Sequence, residues 1–239
     1  MSATISAVAF APVKPPARVY RIALLNPNTN SASTALMMNS AREALPAGVQ
    51  IEGRNVTTGQ AFISDPAALQ TAAEAVEACG PALAAEGFDA IIVAGFGDPG
   101  VAALRKQLDI PVTGLGEAGI ARAAEGGMRY AIVTVTPELH DSLMASAHAA
   151  APASQLVGIR YTQGSLGQVM HSPESLQQAL LKACHDATTL DGAQSIVIGG
   201  GPLAQAARDL AEHLQVRVVD PVSAAVSLAC ARGGLAAAR

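Results

Sequence analysis

Along most of the chain, short apolar runs alternate with longer Ala-rich segments whose apolar residues recur at helical spacing. The runs fall at 19–25 (VYRIALL), 49–56 (VQIEGRNV), 89–94 (DAIIVA), 111–114 (PVTG), 129–135 (RYAIVTV), 156–161 (LVGIRY), 195–199 (SIVIG) and 216–220 (VRVVD). Each reads as a strand. Long helices are predicted over 65–86 and 172–189. Ser172 and Asp65 each precede a proline at the first helical position, the pattern of an N-cap followed by a residue whose missing N–H costs nothing there. Strand, helix, strand in repetition predicts an α/β fold of parallel sheets covered by helices. The unbroken apolar runs 89–94 and 195–199 read as strands buried on both faces.

In such a fold ligands bind beyond the carboxyl ends of strands. The segments to inspect are therefore NPNTNS (26–31), GFGDPG (95–100), TPELH (136–140) and GGGPLA (199–204). The second and fourth share one plan: a buried strand, a glycine cluster, a proline, then an Ala-rich helix. The order of elements repeats about half a chain apart. This predicts one unit over 19–239 made of two similar parallel-sheet halves facing a central cleft. Residues 1–18 (MSATISAVAFAPVKPPAR) lack the basic start and long apolar core of a secretory signal, and read as a loose extension.

Composition narrows the function. Half of the 239 residues are hydrophobic and 14% are charged, as expected of a globular enzyme. The net charge is −4 and no Lys/Arg cluster stands out, which argues against a nucleic-acid partner. With four Phe, three Tyr and no Trp, stacking on bases is not expected. No apolar run reaches the length of a membrane span. Cys79, Cys184 and Cys230 have neither metal nor disulfide spacing, and suit a cytoplasmic chain. All three sit in helical or packing positions away from the strand ends and read as small buried hydrophobes. Apolar helix faces point to a homo-oligomer.

Gly95, Gly97 and Gly100 match the dinucleotide fingerprint G-x-G-x-x-G, but in the wrong place. The fingerprint belongs to a first strand–helix turn, with an acidic residue at the end of the next strand. Here it follows the third strand, and the run 111–114 ends without an acid. A nucleotide cofactor is not expected, and no His/acid spacing suggests a metal.

NPNT after the first strand, FGDPG after the third, GEA after the fourth and VDPVSAA (219–225) together resemble the Asp/Glu/hydantoin racemase superfamily, closest to its hydantoin and allantoin racemases. The resemblance runs from about residue 19 to the end. It implies two α/β halves with the site between them, and chemistry without a cofactor on a small carboxylate, hydantoin or ureide. It also implies two cysteines on opposite faces of the substrate Cα, one thiolate removing a proton while the other thiol returns one. By the same resemblance those cysteines would occupy positions 95 and 200, where this chain has Gly95 and Gly200.

Glycine can neither give nor take a proton through a side chain, so the chemistry implied for the family does not transfer unchanged. Glu117, His140 and Asp98 are the candidate replacement bases. Each has a structural alternative: a charge at a helix start for Glu117, a surface helix histidine for His140, a helix cap for Asp98. Asn26, Asn28 and Thr29 are candidate ligand-binding residues or, equally, an Asx turn. Thr134 and Thr136 end a strand at the expected cleft. Asp98 is a ligand contact or a helix cap. Phe96 could form one wall, and the amides of Gly97 and Gly201 could hold an anion. Three functions stay open: an enzyme with diverged chemistry, including a lyase or decarboxylase built on an oxyanion pocket; a small-carboxylate-binding protein without turnover; and a disabled racemase. Malonate-decarboxylating relatives, which keep one thiol, suggest that the scaffold tolerates such change.

Overall fold

The computed structural model describes residues 19–235. The extension expected over 1–18 lies outside the described residues. All eight expected strands form, with ends moved by a residue or two: β1 (Tyr20–Asn26), β2 (Val49–Asn55), β3 (Ala90–Val93), β4 (Val112–Gly114), β5 (Tyr130–Thr134), β6 (Leu156–Tyr161), β7 (Ser195–Gly199) and β8 (Arg217–Val219). Between them run α1 (Ser31–Glu43), α2 (Pro66–Ala85), α3 (Val101–Gln107), α4 (Leu115–Ala124), α5 (His140–Ala150), α6 (Leu166–Val169), α7 (Pro173–Thr189), α8 (Ala204–Ala211) and α9 (Pro221–Arg232).

The strands form two all-parallel sheets of four, ordered β2-β1-β3-β4 and β6-β5-β7-β8. The second order repeats the first with every strand number raised by four, so the halves share one topology. The central strands β3, β5 and β7 are buried along their whole length, as their unbroken apolar runs require. The predicted caps are in place: Asp65 accepts the Ala68 amide at 2.8 Å and Ser172 that of Ser175 at 3.2 Å.

The halves are joined by exchange of their last helices. α4 follows the first sheet but packs on β7 and β8 of the second, and α9 follows the second sheet but packs on β3 and β4 of the first. α4 and α9 also pack on each other. One apolar core, including Ile22, Leu24, Ile92, Ile132, Val197 and Val226, runs between the sheets, while separate cores fill the outer face of each half. This shared core holds the carboxyl ends of β1, β3, β5 and β7 around a single cleft.

Candidate functional site

A cavity of about 80 Å³ lies at those four strand ends. Pro27 and Asn28 follow β1; Gly95, Phe96 and Gly97 follow β3; Thr134 ends β5 and Thr136 follows it; Gly199 ends β7 and Gly200 and Gly201 follow it. The site therefore stands where the strand-end rule places it. Its remaining walls are apolar, from Phe62, Ile63, Leu69, Leu139, Leu143 and Leu203.

The loop after β1 is held by its own amides. Asn26 is fully buried; its Nδ2 donates to Asn28 Oδ1 at 3.0 Å, Thr34 Oγ1 at 2.9 Å and the Asn30 carbonyl at 3.2 Å. Its own Oδ1 accepts the Asn28 amide at 3.2 Å. Asn28 Oδ1 also accepts the Asn30 amide at 2.9 Å. A backbone N–H must meet an oxygen, so these bonds fix the orientation of the Asn28 amide. Its Nδ2 makes no hydrogen bond among the described residues and is the group left to serve a ligand. Asn55 supports the arrangement, donating to the Asn28 carbonyl at 2.9 Å and accepting from Thr34.

On the other sheet, the Thr134 hydroxyl donates to the Gly199 carbonyl at 2.7 Å and lies 3.4 Å from the Thr136 hydroxyl. With the Thr134 proton committed, Thr136 offers the available hydroxyl. The amides of Gly97, Gly200 and Gly201 make no hydrogen bond among the described residues, which adds backbone donors to the lining. The Phe96 ring reaches across and packs on Gly199, where a Cβ would stand 3.0 Å from the ring.

The sequence candidates thus divide. Asn28, Gly95, Phe96, Gly97, Thr134, Thr136, Gly200 and Gly201 meet at the cavity. Asn26 lies behind it as a support for Asn28. Thr29 is exposed and only ties its amide to the Gln60 carbonyl at 3.1 Å. The other three sit elsewhere, each for a visible reason. Asp98 turns away and accepts the Gly116 and Glu117 amides at 2.7 and 2.8 Å, capping α4 rather than the helix that follows it in sequence. Burial pushes its carboxyl up to about 7, against the pull of those two amides. Glu117, in the first turn of α4, pairs with Arg105 and Arg232 and accepts the Gly114 amide at 2.9 Å. Burial would raise its carboxyl, but the hydrogen bonds from Arg232, the Gly114 amide and Arg105 leave it below the ordinary value. His140 opens α5 on the surface and meets the Tyr161 hydroxyl at 2.7 Å.

Gly95 and Gly200 do not stand beside open space: a Cβ at Gly95 would stand 2.7 Å from the Pro27 ring and 3.2 Å from Pro99. Gly200 has φ 148°, a conformation side chains rarely adopt, with Leu203 3.1 Å from its would-be Cβ. The cysteines stay away from the cavity. Cys184 and Cys230 are buried in packing layers, and burial pushes the Cys184 thiol up to about 12. Sequence reading missed the apolar walls, because an apolar side chain such as Phe62, Ile63, Leu69, Leu139 or Leu143 reads as core whether it faces a cavity or a packing layer.

Among the described residues, no cluster of three His, Cys, Asp or Glu side chains could hold a metal, and no helix is long and apolar enough to cross a membrane. The cavity lining contains Asn and Thr side chains and backbone amides but no acid, histidine, lysine, arginine, cysteine or tyrosine.

Two matched parallel-sheet halves around one strand-end cleft define an α/β protein of the racemase type. Residues 22–229 match the Asp/Glu/Hydantoin racemase family, and the chain belongs to it. A hydantoin racemase of Paenarthrobacter aurescens is 31% identical over 211 residues, spanning 87% of this chain and 89% of that one. The structure of an allantoin racemase from Klebsiella pneumoniae superposes with a TM-score of 0.84 at 29% identity, covering 92% of this chain and 90% of the other. Allantoin racemase from Pseudomonas fluorescens gives 0.82 at 26% identity, over 91% and 93%.

Proposed function

We propose that the cleft binds a small hydantoin, ureide or carboxylate through Asn28, Thr136 and the glycine-loop amides, and does not racemise it by a pair of thiols. The observation that carries this reading is the absence of any ionisable side chain from the cavity lining among the described residues. Racemisation needs one proton acceptor and one proton donor on opposite faces of the Cα. By resemblance these would stand at Gly95 and Gly200, which supply only backbone. What the lining offers is hydrogen-bond donors, which hold a carbonyl oxygen and stabilise negative charge that develops on it. Chemistry at such a site is limited to steps driven by that stabilisation, with protons exchanged through water and no cofactor.

Proton NMR in D₂O tests this with hydantoins, allantoin, amino acids and substituted malonates. The reading expects ligand binding without rapid loss of a Cα–H signal. Fast Cα–H exchange would show that an efficient base reaches the cavity and would overturn it. New products without Cα–H exchange would identify a charge-stabilised lyase. Unchanged spectra with line broadening would favour the second reading, ligand binding without turnover, which the same lining supports. Residence in the cytosol, supported by the three free cysteines, and assembly into a homo-oligomer belong to the same proposal; sedimentation of the purified chain tests the second.

A further inference from the structure

The connection from β2 to α2 is fixed at both ends and held lightly between them. Val56 is buried and its amide donates to the Asn26 carbonyl at 3.1 Å. Asp65 caps α2 through the Ala68 amide. Residues 57–61 are exposed. Across 57–64 the only hydrogen bond among the described residues runs from the Thr29 amide to the Gln60 carbonyl, at 3.1 Å. Phe62 and Ile63 are half-buried and line the cavity. Ile63 packs on the core between the sheets. Phe62 packs on the outer core of the second half, whose other members all come from residues 131–218.

The cavity of about 80 Å³ is far below the ~300 Å³ at which ligand pockets commonly begin. A ligand enters such a space only if a wall moves. The other walls are tied down. Two bonds from Asp98 fasten the loop after β3 to α4, and the Thr134 hydroxyl holds the Gly199 carbonyl. The loop after β1 is held by its own amides. Leu69 and Leu143 stand on α2 and α5. The exchanged helices α4 and α9 fasten the halves, and hinging the halves apart would expose the core between the sheets. Lifting 57–64 breaks one backbone hydrogen bond, withdraws two half-buried side chains and leaves both sheets intact. Segments with so few bonds and buried contacts open first. Gly59, at φ 112°, gives the stretch a position where the backbone turns without strain.

We infer that residues 57–64 form a strap that opens and closes the cleft, and that the Phe62 ring is the latch holding it to the second half. The inference rests on the reading that the cleft takes a ligand, and adds how that ligand enters and leaves. Exchange of ligand proceeds through the open form, on the microsecond-to-millisecond scale of such closures.

NMR relaxation dispersion on the full chain without ligand tests the motion. Exchange should appear at residues 57–64 and be absent from the loops at 95–98 and 199–203. Flat dispersion in the strap, or equal exchange in all three segments, would overturn the inference. Phe62→Ala should raise the open fraction by about tenfold, and Phe62→Leu, which keeps an apolar contact, by less. An unchanged open fraction in both variants would overturn the latch. The gate is read with 5-methylhydantoin by stopped-flow. In Phe62→Ala both association and dissociation should quicken by about tenfold, because a larger open fraction speeds passage in each direction. Faster dissociation with unchanged association would reduce Phe62 to a ligand contact and overturn the gate. Failure of 5-methylhydantoin to bind would overturn the reading of the site, while the dispersion of the free chain still decides whether the strap moves.

Discussion

The ring of Pro27 occupies the space into which a side chain at Gly95 would grow: a Cβ built there stands 2.7 Å from Pro27 Cγ. At the facing loop Gly200 has φ 148°, and Leu203 closes in on it. The two positions that the family resemblance would fill with thiols are thus shaped around glycine. Gly200→Cys should lower stability by about 1–3 kcal/mol, the scale of a side chain forced into a backbone region reserved for glycine. Gly95→Cys should cost less, because it needs a shift of the proline rings and no change of backbone region. Urea denaturation of both variants checks the order. Neither single variant should racemise a hydantoin, since each face of the Cα needs its own group. A single-cysteine variant with fast Cα–H exchange would refute that geometry.

Asp98 is tied into the fold through the first turn of α4. It is the one non-glycine residue at positive φ among the described residues, at 50°, and its carboxylate holds the first amides of α4. Asp98→Ala leaves both amides without an acceptor and should destabilise the protein by about 1–3 kcal/mol. Asp98→Asn keeps one acceptor and tolerates the same backbone region, so its loss should be smaller. Thermal unfolding of the pair distinguishes a cap from a substrate contact: equal stability of Asp98→Ala and the parent chain would argue against the cap.

Much of this was legible in the sequence. The eight strands follow from runs such as SIVIG and DAIIVA, whose unbroken apolar character demands burial on both faces. The cleft follows from reading the residues just after them. Asp98, Glu117 and His140 could not be placed that way, because strand-end position fixes the backbone but not the direction of a side chain. Asp98 lies two residues from Phe96, a cavity wall, yet its carboxylate is drawn to the first amides of α4. Glu117 is held by two arginines distant in sequence, Arg105 and Arg232. The exchange of α4 and α9 between halves was equally hidden, since helix period records an apolar face and not its partner.

Glu117 predicts a pH dependence of stability. Its carboxyl is held below the ordinary value of 4.5 in the folded chain. The unfolded chain therefore binds its proton first as pH falls. The stabilisation is fully present above about 4.5 and drains away as pH drops through the lower folded value. Glu117→Gln should cost about 1–3 kcal/mol at neutral pH, the range for hydrogen bonds to a charged group. The gap between variant and parent should narrow as pH falls below about 4.5. A gap that stays constant over that range would mean that the charge contributes nothing.

Asn28 separates holding the loop from holding a ligand within one side chain. Its Oδ1 accepts from Asn26 and from the Asn30 amide, and only its Nδ2 is uncommitted. Asn28→Asp keeps an oxygen for both internal donors and replaces the free donor by a second acceptor. The loop should survive, because Asn26 still donates to Thr34 and the Asn30 carbonyl. A ligand carbonyl would then face an acceptor, and a carboxylate would face a like charge. Affinity for a hydantoin should fall by about tenfold or more, as expected when a buried acceptor loses its donor. Asn26→Ala should behave in the opposite way, losing about 2 kcal/mol or more of stability because several buried partners are stranded at once. Calorimetric titration beside urea denaturation of the two variants reads both effects. Unchanged hydantoin affinity in a folded Asn28→Asp would remove Asn28 from the binding surface and leave the ligand to Thr136 and the glycine amides.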